Sequence, residues 1–342
     1  GGPTRGGTTV KVTGSHLAPG PHTDTTLARC RFGRLESGAV VNVTKIEADG
    51  LTCAPSPATL MYTIGGDKEF AVALNGQQFA PFPAARFRYY VQPKLSAVWP
   101  TGGPAAGGSA VTLYGEGFDR FGSYPSNASA AALLSAPHGG AVEPGGAGGG
   151  ALCVFGGQCF DKDDVHRGVG CGDDPATMAA DAVIASPATL LDPGRLLCRS
   201  PPRAQLELAK RGRGAIRVAV ALNAQNFVHK KTPIFVFYAG VTVAALGPPT
   251  GPPVGGVEVR INGTNLAVFG DAPLARCRWY KWRPLVAAAA YGMDATLAAV
   301  SDAPPEWKVE DAALCRTPRR AAGYSALAFS LNAHDFHDGG GA

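Results

Sequence analysis

Five aspartates crowd one short segment, CFDKDDVHRGVGCGDDP at 159–175: Asp161, Asp163, Asp164, Asp173 and Asp174, spread around Cys159 and Cys171. Carboxylate oxygens at that density are the hard ligands Ca²⁺ prefers. The order does not follow the calcium loop of an EF-hand. Counted from Asp161, Val165 occupies the fifth position, His166 stands sixth where glycine is required, and no Glu closes the twelfth. The segment is therefore a weak Ca²⁺ candidate, and its plainer reading is a solvated acidic insertion. His334 and His337, in HDFH, have a spacing compatible with Zn²⁺, but they fall inside a recurrent motif whose other copies carry Gln77 and Gln225 at the first position. The seven histidines are otherwise scattered, and neither a nucleophile elbow, a metalloprotease helix, a P-loop nor a dinucleotide fingerprint occurs. The sequence assigns no catalytic residue, cofactor or resident metal.

The charge pattern narrows the partners. A net charge of +5 in 342 residues is spread along the chain, without the dense stripe of a nucleic-acid footprint. The densest cluster, KRGRGAIR at 210–217, reads as a loop entering a strand. No run of about 18 apolar residues exists; the nearest, LVAAAAYGMDATLAAV at 285–300, contains Asp294 and reads as an inserted helix or loop. The glycine-rich tract HGGAVEPGGAGGG at 138–150 lacks a following Lys-Ser/Thr and reads as a flexible insertion, not a phosphate cradle. The opening GGPTRGGTTV lacks the charged-then-apolar pattern of a secretory leader.

The elements that carry these residues repeat. Leu-Asn-small-polar-polar-Phe is written three times, at Asn75–Phe79, Asn223–Phe227 and Asn332–Phe336, with spacings of about 148 and 109 residues. Ahead of each copy lie the same landmarks in the same order. A Gly/Pro opening leads into a strand (1–17, 99–118, 247–266), then comes ARCRFG, ALCVFGG or ARCRWY, then LTCAPSP, LLCRSPP or ALCRTP. The shared skeleton is roughly 90 residues, and the excess length of the second copy maps to loops.

Within the skeleton the periodicity is two. TTVKVTG, AVTLYGEG and VEVRING alternate apolar and polar residues and stop at glycine, and EFAVAL, AIRVAVAL and ALAFSL alternate in the same way. Several short strands per 90-residue unit, divided by Gly/Pro turns, predict a β-sandwich. On that frame Phe70, Val72 and Leu74 share a core-facing side. Asn75-Gly76 ends or bulges the strand through positive φ, and Phe79, Phe227 and Phe336 plug one end of the sandwich.

The ordered set of Gly-Gly before the first strand, Cys-x-Phe-Gly, Leu-x-Cys-x-x-Pro, Leu-Asn-Gly-Gln-x-Phe and a closing Phe-x-Tyr-Tyr resembles IPT/TIG domains. The resemblance covers nearly the whole chain. It implies an all-β chain of tandem immunoglobulin-like β-sandwiches, as in plexins, related surface receptors, multi-repeat secreted proteins and some transcription factors. The repeats would span 1–92, lacking its first strand, 93–240, with long loop insertions, and 241–342, lacking its last strand. Such a chain reads as a slice of a longer array.

Placed on these repeats, the eight cysteines fall two, four and two, and suggest Cys30 with Cys53, Cys153 with Cys198, and Cys277 with Cys315, leaving Cys159 and Cys171 to close a small loop. Each bridge would be worth roughly 3–4 kcal/mol by loop closure; reduced, buried thiols are the alternative. Three N-glycosylation sequons, at Asn42, Asn127 and Asn262, against about one expected by chance, point to the same oxidising setting. The expectation is a non-catalytic structural or adhesive module at the cell surface or secreted, binding unidentified proteins and its own neighbouring repeats, with no nucleic acid and no membrane contact of its own. An intracellular scaffold array, cytoskeletal or ciliary, is the alternative, and a nucleic-acid-binding TIG array a minor one.

Overall fold

The structure, a computed structural model, describes residues 1–17, 25–59, 65–121, 150–155, 184–202, 213–228, 232–266, 274–281, 299–301, 306–309 and 312–338. Among these no α-helix occurs, and the strands build three successive immunoglobulin-like sandwiches.

The first contains β1 (Gly2–Pro3), β2 (Val10–Thr13), β3 (Arg29–Phe32), β4 (Ala39–Glu47), β5 (Gly50–Cys53), β6 (Gly66–Ala73) and β7 (Ala80–Tyr90). Strand β4 serves both layers. Its first half pairs with β3 and its second half with β5, and the register shifts between Val43 and Lys45. One layer is then β1-β7-β6-β3-β4 and the other β4-β5-β2. Val10 and Val12 reach the core from β2, and Phe70 and Val72 from β6, as period two requires. There they meet Cys30, Phe32 and Leu51, with edge-to-face aromatic contacts at 4.9–5.2 Å between Phe32 and its neighbours Phe70 and Phe87.

The second sandwich holds β8 (Lys94–Trp99), β9 (Gly102–Pro104), β10 (Ala110–Glu116), β11 (Leu152–Phe155), β12 (Ile184–Pro187), β13 (Thr189–Asp192), β14 (Arg195–Arg199), β15 (Arg213–Ala221) and β16 (Ile234–Tyr238). Its layers are β13-β14-β10-β8 and β12-β11-β15-β16-β9. The short β9 lies parallel to β16, just as β1 lies parallel to β7. The third sandwich holds β17 (Thr242–Gly247), β18 (Glu258–Thr264), β19 (Arg276–Lys281), β20 (Ala299–Ser301), β21 (Glu306–Val309), β22 (Ala312–Arg316), β23 (Ser325–Ser330) and β24 (His337–Asp338), in layers β17-β18-β22-β21 and β20-β19-β23-β24. Strands β8 and β17 pair with β10 and β18; among the described residues no strand takes that place beside β2.

Two recurrent sequence landmarks turn out to be one contact. Gly6, Gly107 and Gly255 hold φ of 79°, 77° and 74°, a left-handed conformation that glycine adopts without cost. A Cβ there would sit 2.4–2.6 Å from backbone of the Pro-containing segment after the second Cys, at Ser56, Pro202 or Pro318. The next glycine donates its N–H to that segment, Gly7 to Ser56, Gly108 to Ser200 and Gly256 to Thr317, each at 2.8 Å.

Three disulfides bridge the layers, Cys30–Cys53, Cys153–Cys198 and Cys277–Cys315, with Cα atoms 6.0, 6.3 and 6.2 Å apart. Each bridge links the third strand of the skeleton to the strand before the Pro segment. Cys159, Cys171, the acidic segment with Asp161, Asp163, Asp164, Asp173 and Asp174, the glycine-rich tract up to Gly149 and Asn127 lie outside the described residues. Of 285–300 only Ala299 and Val300 are described, in β20, and of the basic cluster Arg213–Arg217 opens β15.

Candidate functional site

Among the described residues, the residue types that repeat are not gathered into a catalytic constellation. Among the described residues no group of three or more His, Cys, Asp or Glu is placed to hold a metal. His334 is exposed and accepts a hydrogen bond from Trp99 Nε1 at 3.0 Å, whereas His337 lies in β24 opposite Phe329. What the structure does assemble is the Leu-Asn turn.

In all three copies the asparagine side chain closes the turn. Its Oδ1 accepts the backbone N–H two and three residues on: Gln77 and Gln78 at 3.1 and 3.0 Å, Gln225 and Asn226 at 3.2 and 2.9 Å, His334 and Asp335 at 3.0 and 2.8 Å. The residue after it carries the positive φ: Gly76 at 77°, Ala224 at 58° and Ala333 at 63°. The asparagine itself does not take that conformation; it pays the turn's backbone donors while its neighbour bends the chain.

With Oδ1 occupied, Nδ2 is aimed outwards, and here the copies differ. Asn223 Nδ2 donates to Gly1 O in the first sandwich at 3.1 Å, and Asn332 Nδ2 donates to Gly102 O in the second at 2.7 Å. The fourth residue of the turn meets a hydroxyl from the same segment. Thr8 Oγ1 donates to Asn226 Oδ1 at 2.5 Å, and Ser109 Oγ donates to Asp335 Oδ2 at 2.6 Å. Gly1 and Gly102 open GGPTRGGT and GGPAAGGS, in which Thr8 and Ser109 hold the same place. The third residue adds a further contact. Gln225 accepts from Thr9 N at 3.0 Å and donates to Thr9 O at 3.2 Å, and His334 meets Trp99.

The second and third turns thus dock on the opening segment of the preceding sandwich. Asn332 is fully buried and Asn223 nearly so, at 0% and 7% exposure, while Asn75 is exposed and returns its Nδ2 to Gln78 within its own turn. The joints also share an aromatic residue. Tyr90, the end of β7, packs in the core of the second sandwich and stacks on Phe121 at 4.9 Å; Tyr238, the end of β16, packs in the core of the third. Burial pushes the Tyr238 hydroxyl well above the ordinary phenol range, and Asp335 adds to the rise.

The expected plug is corrected. Phe79, Phe227 and Phe336 do not enter the inter-layer cores. On the third strand of each skeleton Cys30, Cys153 and Cys277 point inwards, so the next residues, Arg31, Val154 and Arg278, point out, and the phenylalanine covers that outer face. The Arg31 guanidinium lies 4.5 Å from the Phe79 ring centre and that of Arg278 lies 3.6 Å from Phe336. Phe227 instead rests on the apolar patch of Leu152, Val154, Ala185 and Ala224. The positive φ turns the chain to the opposite face, which a straight period-two count does not anticipate.

Asn42, on β4, and Asn262, on β18, are exposed strand positions. Asn262 accepts a hydrogen bond from Arg260 Nε at 2.9 Å. Sequence reading missed Thr8, Ser109, Gln225 and Asp335 as joint residues. The recurrence of a hydroxyl directly after the glycine pairs Gly6-Gly7 and Gly107-Gly108 was their signal.

No known family model and no curated protein matches the chain. Among solved structures it is similar to the extracellular region of plexin A4, at 12% identity and a TM-score of 0.28, covering 98% of this chain and 32% of that one. It is similar also to the FN1-FN3 domains of chicken CNTN1, at 11% identity and a TM-score of 0.27 over 98% of this chain and 97% of that one. An ICAM-5 ectodomain fragment follows at 12% and 0.22, over 92% and 72%. The chain spans about a third of the length of the plexin ectodomain it matches.

Proposed function

We propose that the chain is a non-catalytic structural and adhesive module, a run of IPT/TIG-like repeats at 1–92, 93–240 and 241–342 within the ectodomain of a larger cell-surface or secreted protein. The observation that carries this reading is the joint. In its second and third copies the motif written most faithfully along the chain turns its polar groups to the neighbouring sandwich, at Gly1 and Thr8 and again at Gly102 and Ser109. A chain selected to hold successive domains in register needs that device, and it needs no bound cofactor. The disulfide in each sandwich supports an oxidising compartment, since such bridges persist there and are rare where thiols are kept reduced. Exposed sequons at Asn42 and Asn262 fit the same compartment.

Protein partners would dock on the outer strands or on the insertions of the second and third repeats, because loops on a rigid scaffold commonly carry recognition. The test is native thiol titration with disulfide mapping of the full chain secreted from animal cells. The three linkages and glycan at Asn42 or Asn262 are the expected result. Free thiols at the six bridged positions, with both sequons bare, would overturn the extracellular reading in favour of an intracellular scaffold.

A further inference from the structure

We infer that the exposed turn Asn75–Gln78 is a docking site for one more sandwich of the same class, recognised through a glycine carbonyl and a Ser or Thr hydroxyl seven residues after it. The inference rests on the reading of the Leu-Asn turn as a joint. The molecule contains two worked examples of what covers this turn, and both occupants present the same two groups: Gly1 O with the Thr8 hydroxyl, and Gly102 O with the Ser109 hydroxyl.

The first turn is built to the same plan. Asn75 Oδ1 holds the N–H groups of Gln77 and Gln78, Gly76 has the positive φ of its counterparts, and Asn75, Gln77 and Gln78 are all exposed. Its sequence is nearer to the second turn than to the third. Gln77 matches Gln225, whose side-chain amide both accepts from and donates to the main chain of Thr9. That contact reads backbone, so it asks nothing of the partner's side chain at this place. Asn75 Nδ2 would keep its bond to Gln78, as Asn223 keeps Asn226 and Asn332 keeps Asp335, and give its second N–H to the partner's glycine carbonyl, while the Gln78 amide oxygen also takes the hydroxyl, the part played by Asn226 and Asp335. Because the turn is already closed by Asn75, little order has to be gained on docking.

The chain's own third opening segment is a poor occupant, and the reason is chemical. In GPPTGPPVGGVEV, Thr250 matches Gly102 and Val257 matches Ser109, so a carbonyl is present and the hydroxyl is replaced by a methyl. Val257→Thr restores the group found at Thr8 in a residue of nearly the same shape, and its N–H to Thr317 Oγ1, at 3.0 Å, is unaffected by the change.

The experiment is sedimentation equilibrium of the full chain up to millimolar concentration, as wild type, Val257→Thr, and Val257→Thr with Asn75→Ala. One restored, largely buried hydrogen bond is expected to tighten head-to-tail association about tenfold over wild type, and Asn75→Ala to abolish the gain. No gain on Val257→Thr, or a gain that survives Asn75→Ala, would overturn the proposal. Thermal melting of each variant shows whether the third sandwich is intact. As a second measurement, a duplicate of residues 93–249 placed ahead of Gly1 sets Gly102 and Ser109 before the first turn in the register of the natural joints. Amide exchange at residues 74–79 should then slow at least tenfold, an effect lost with Asn75→Ala, and unchanged exchange beside a folded duplicate would equally sink the idea. Failure of the joint reading itself is distinguishable, because it would appear at Asn223 and Asn332 in the unmodified chain.

Discussion

Replacing each of the three turn asparagines by alanine separates a joint from a local cap. Asn332 is fully buried; its Oδ1 accepts from His334 N, Asp335 N and Ser330 Oγ, and its Nδ2 donates to Gly102 O and Asp335 Oδ2 at 2.7 Å each. Alanine leaves two turn N–H groups and one carbonyl of the second sandwich without this partner. A net loss of about 1 kcal/mol per bond, more where a buried group stays unmet, sums to about 3–4 kcal/mol. Asn75 makes the same bonds within its turn and none to another sandwich, and it is exposed, so water replaces what alanine removes. Its loss is about 0.5–1 kcal/mol, the size of a capping contact. Asn223, with Gly1 O and Thr8 Oγ1 as partners, falls near Asn332. Because three sandwiches need not unfold as one, the assay is native-state hydrogen exchange, read separately at core amides of β6, β15 and β23. The loss at Asn332 should appear in both the second and third sandwiches, and should be matched by Ser109→Ala, which removes the hydroxyl from Asp335. Equal losses at Asn75 and Asn332, or a loss confined to β23 and its neighbours, would show that the motif is only a turn.

The phenylalanine pair gives a second contrast. Phe79, on the outer face over Arg31, should cost about 1–2 kcal/mol as Phe79→Ala, whereas Phe329→Ala, in the core of the third sandwich, should cost about 3–5 kcal/mol by urea titration. Ala333→Gly relieves a left-handed alanine at φ 63° and should raise stability by about 0.5–1 kcal/mol after glycine's extra chain entropy, seen as a higher melting temperature. Alkaline pH should act on Tyr89, which donates to Pro57 O at 3.0 Å and whose hydroxyl is pushed by burial up to about 12. Its folded-state value lies above the unfolded one near 10, so its contribution is complete below pH 10 and is lost as pH rises towards 12. Tyr89→Phe should flatten that part of the stability profile, and a profile unchanged by the substitution would contradict the assignment.

The strands were legible because period two, glycine stops and a core face repeated three times agree with one another. Val10 and Val12, and Phe70 and Val72, face inwards as counted. The phenylalanines were misplaced because counting assumes a straight strand, and the positive φ at Gly76, Ala224 and Ala333 carries the chain to the other face. The joints were hidden for a different reason. Asn332 and Gly102 are 230 residues apart and belong to different copies, so no window within one repeat contains both. Only a comparison across copies separates them: Thr8 and Ser109 keep a hydroxyl where Val257 has none.

Why a polar joint should serve where an apolar one would bury more surface follows from the asparagine's own valences. A side-chain amide has an acceptor end and a donor end fixed in one plane. In each covered turn the acceptor end is spent on two adjacent N–H groups, which sets the plane; the donor end then holds the turn's own fourth residue and, in a fixed direction, one carbonyl of the neighbouring sandwich. An apolar contact tolerates sliding by an ångström; a hydrogen bond at 2.7 Å with a second at 2.6 Å from a hydroxyl seven residues away does not. Tyr90 and Tyr238 supply the apolar area at the same junctions, buried in the following sandwich's core. The division of labour assigns attraction to the tyrosines and relative orientation to the asparagines. It follows that Tyr238→Phe should preserve the angle between the second and third sandwiches while Asn332→Ala should broaden it.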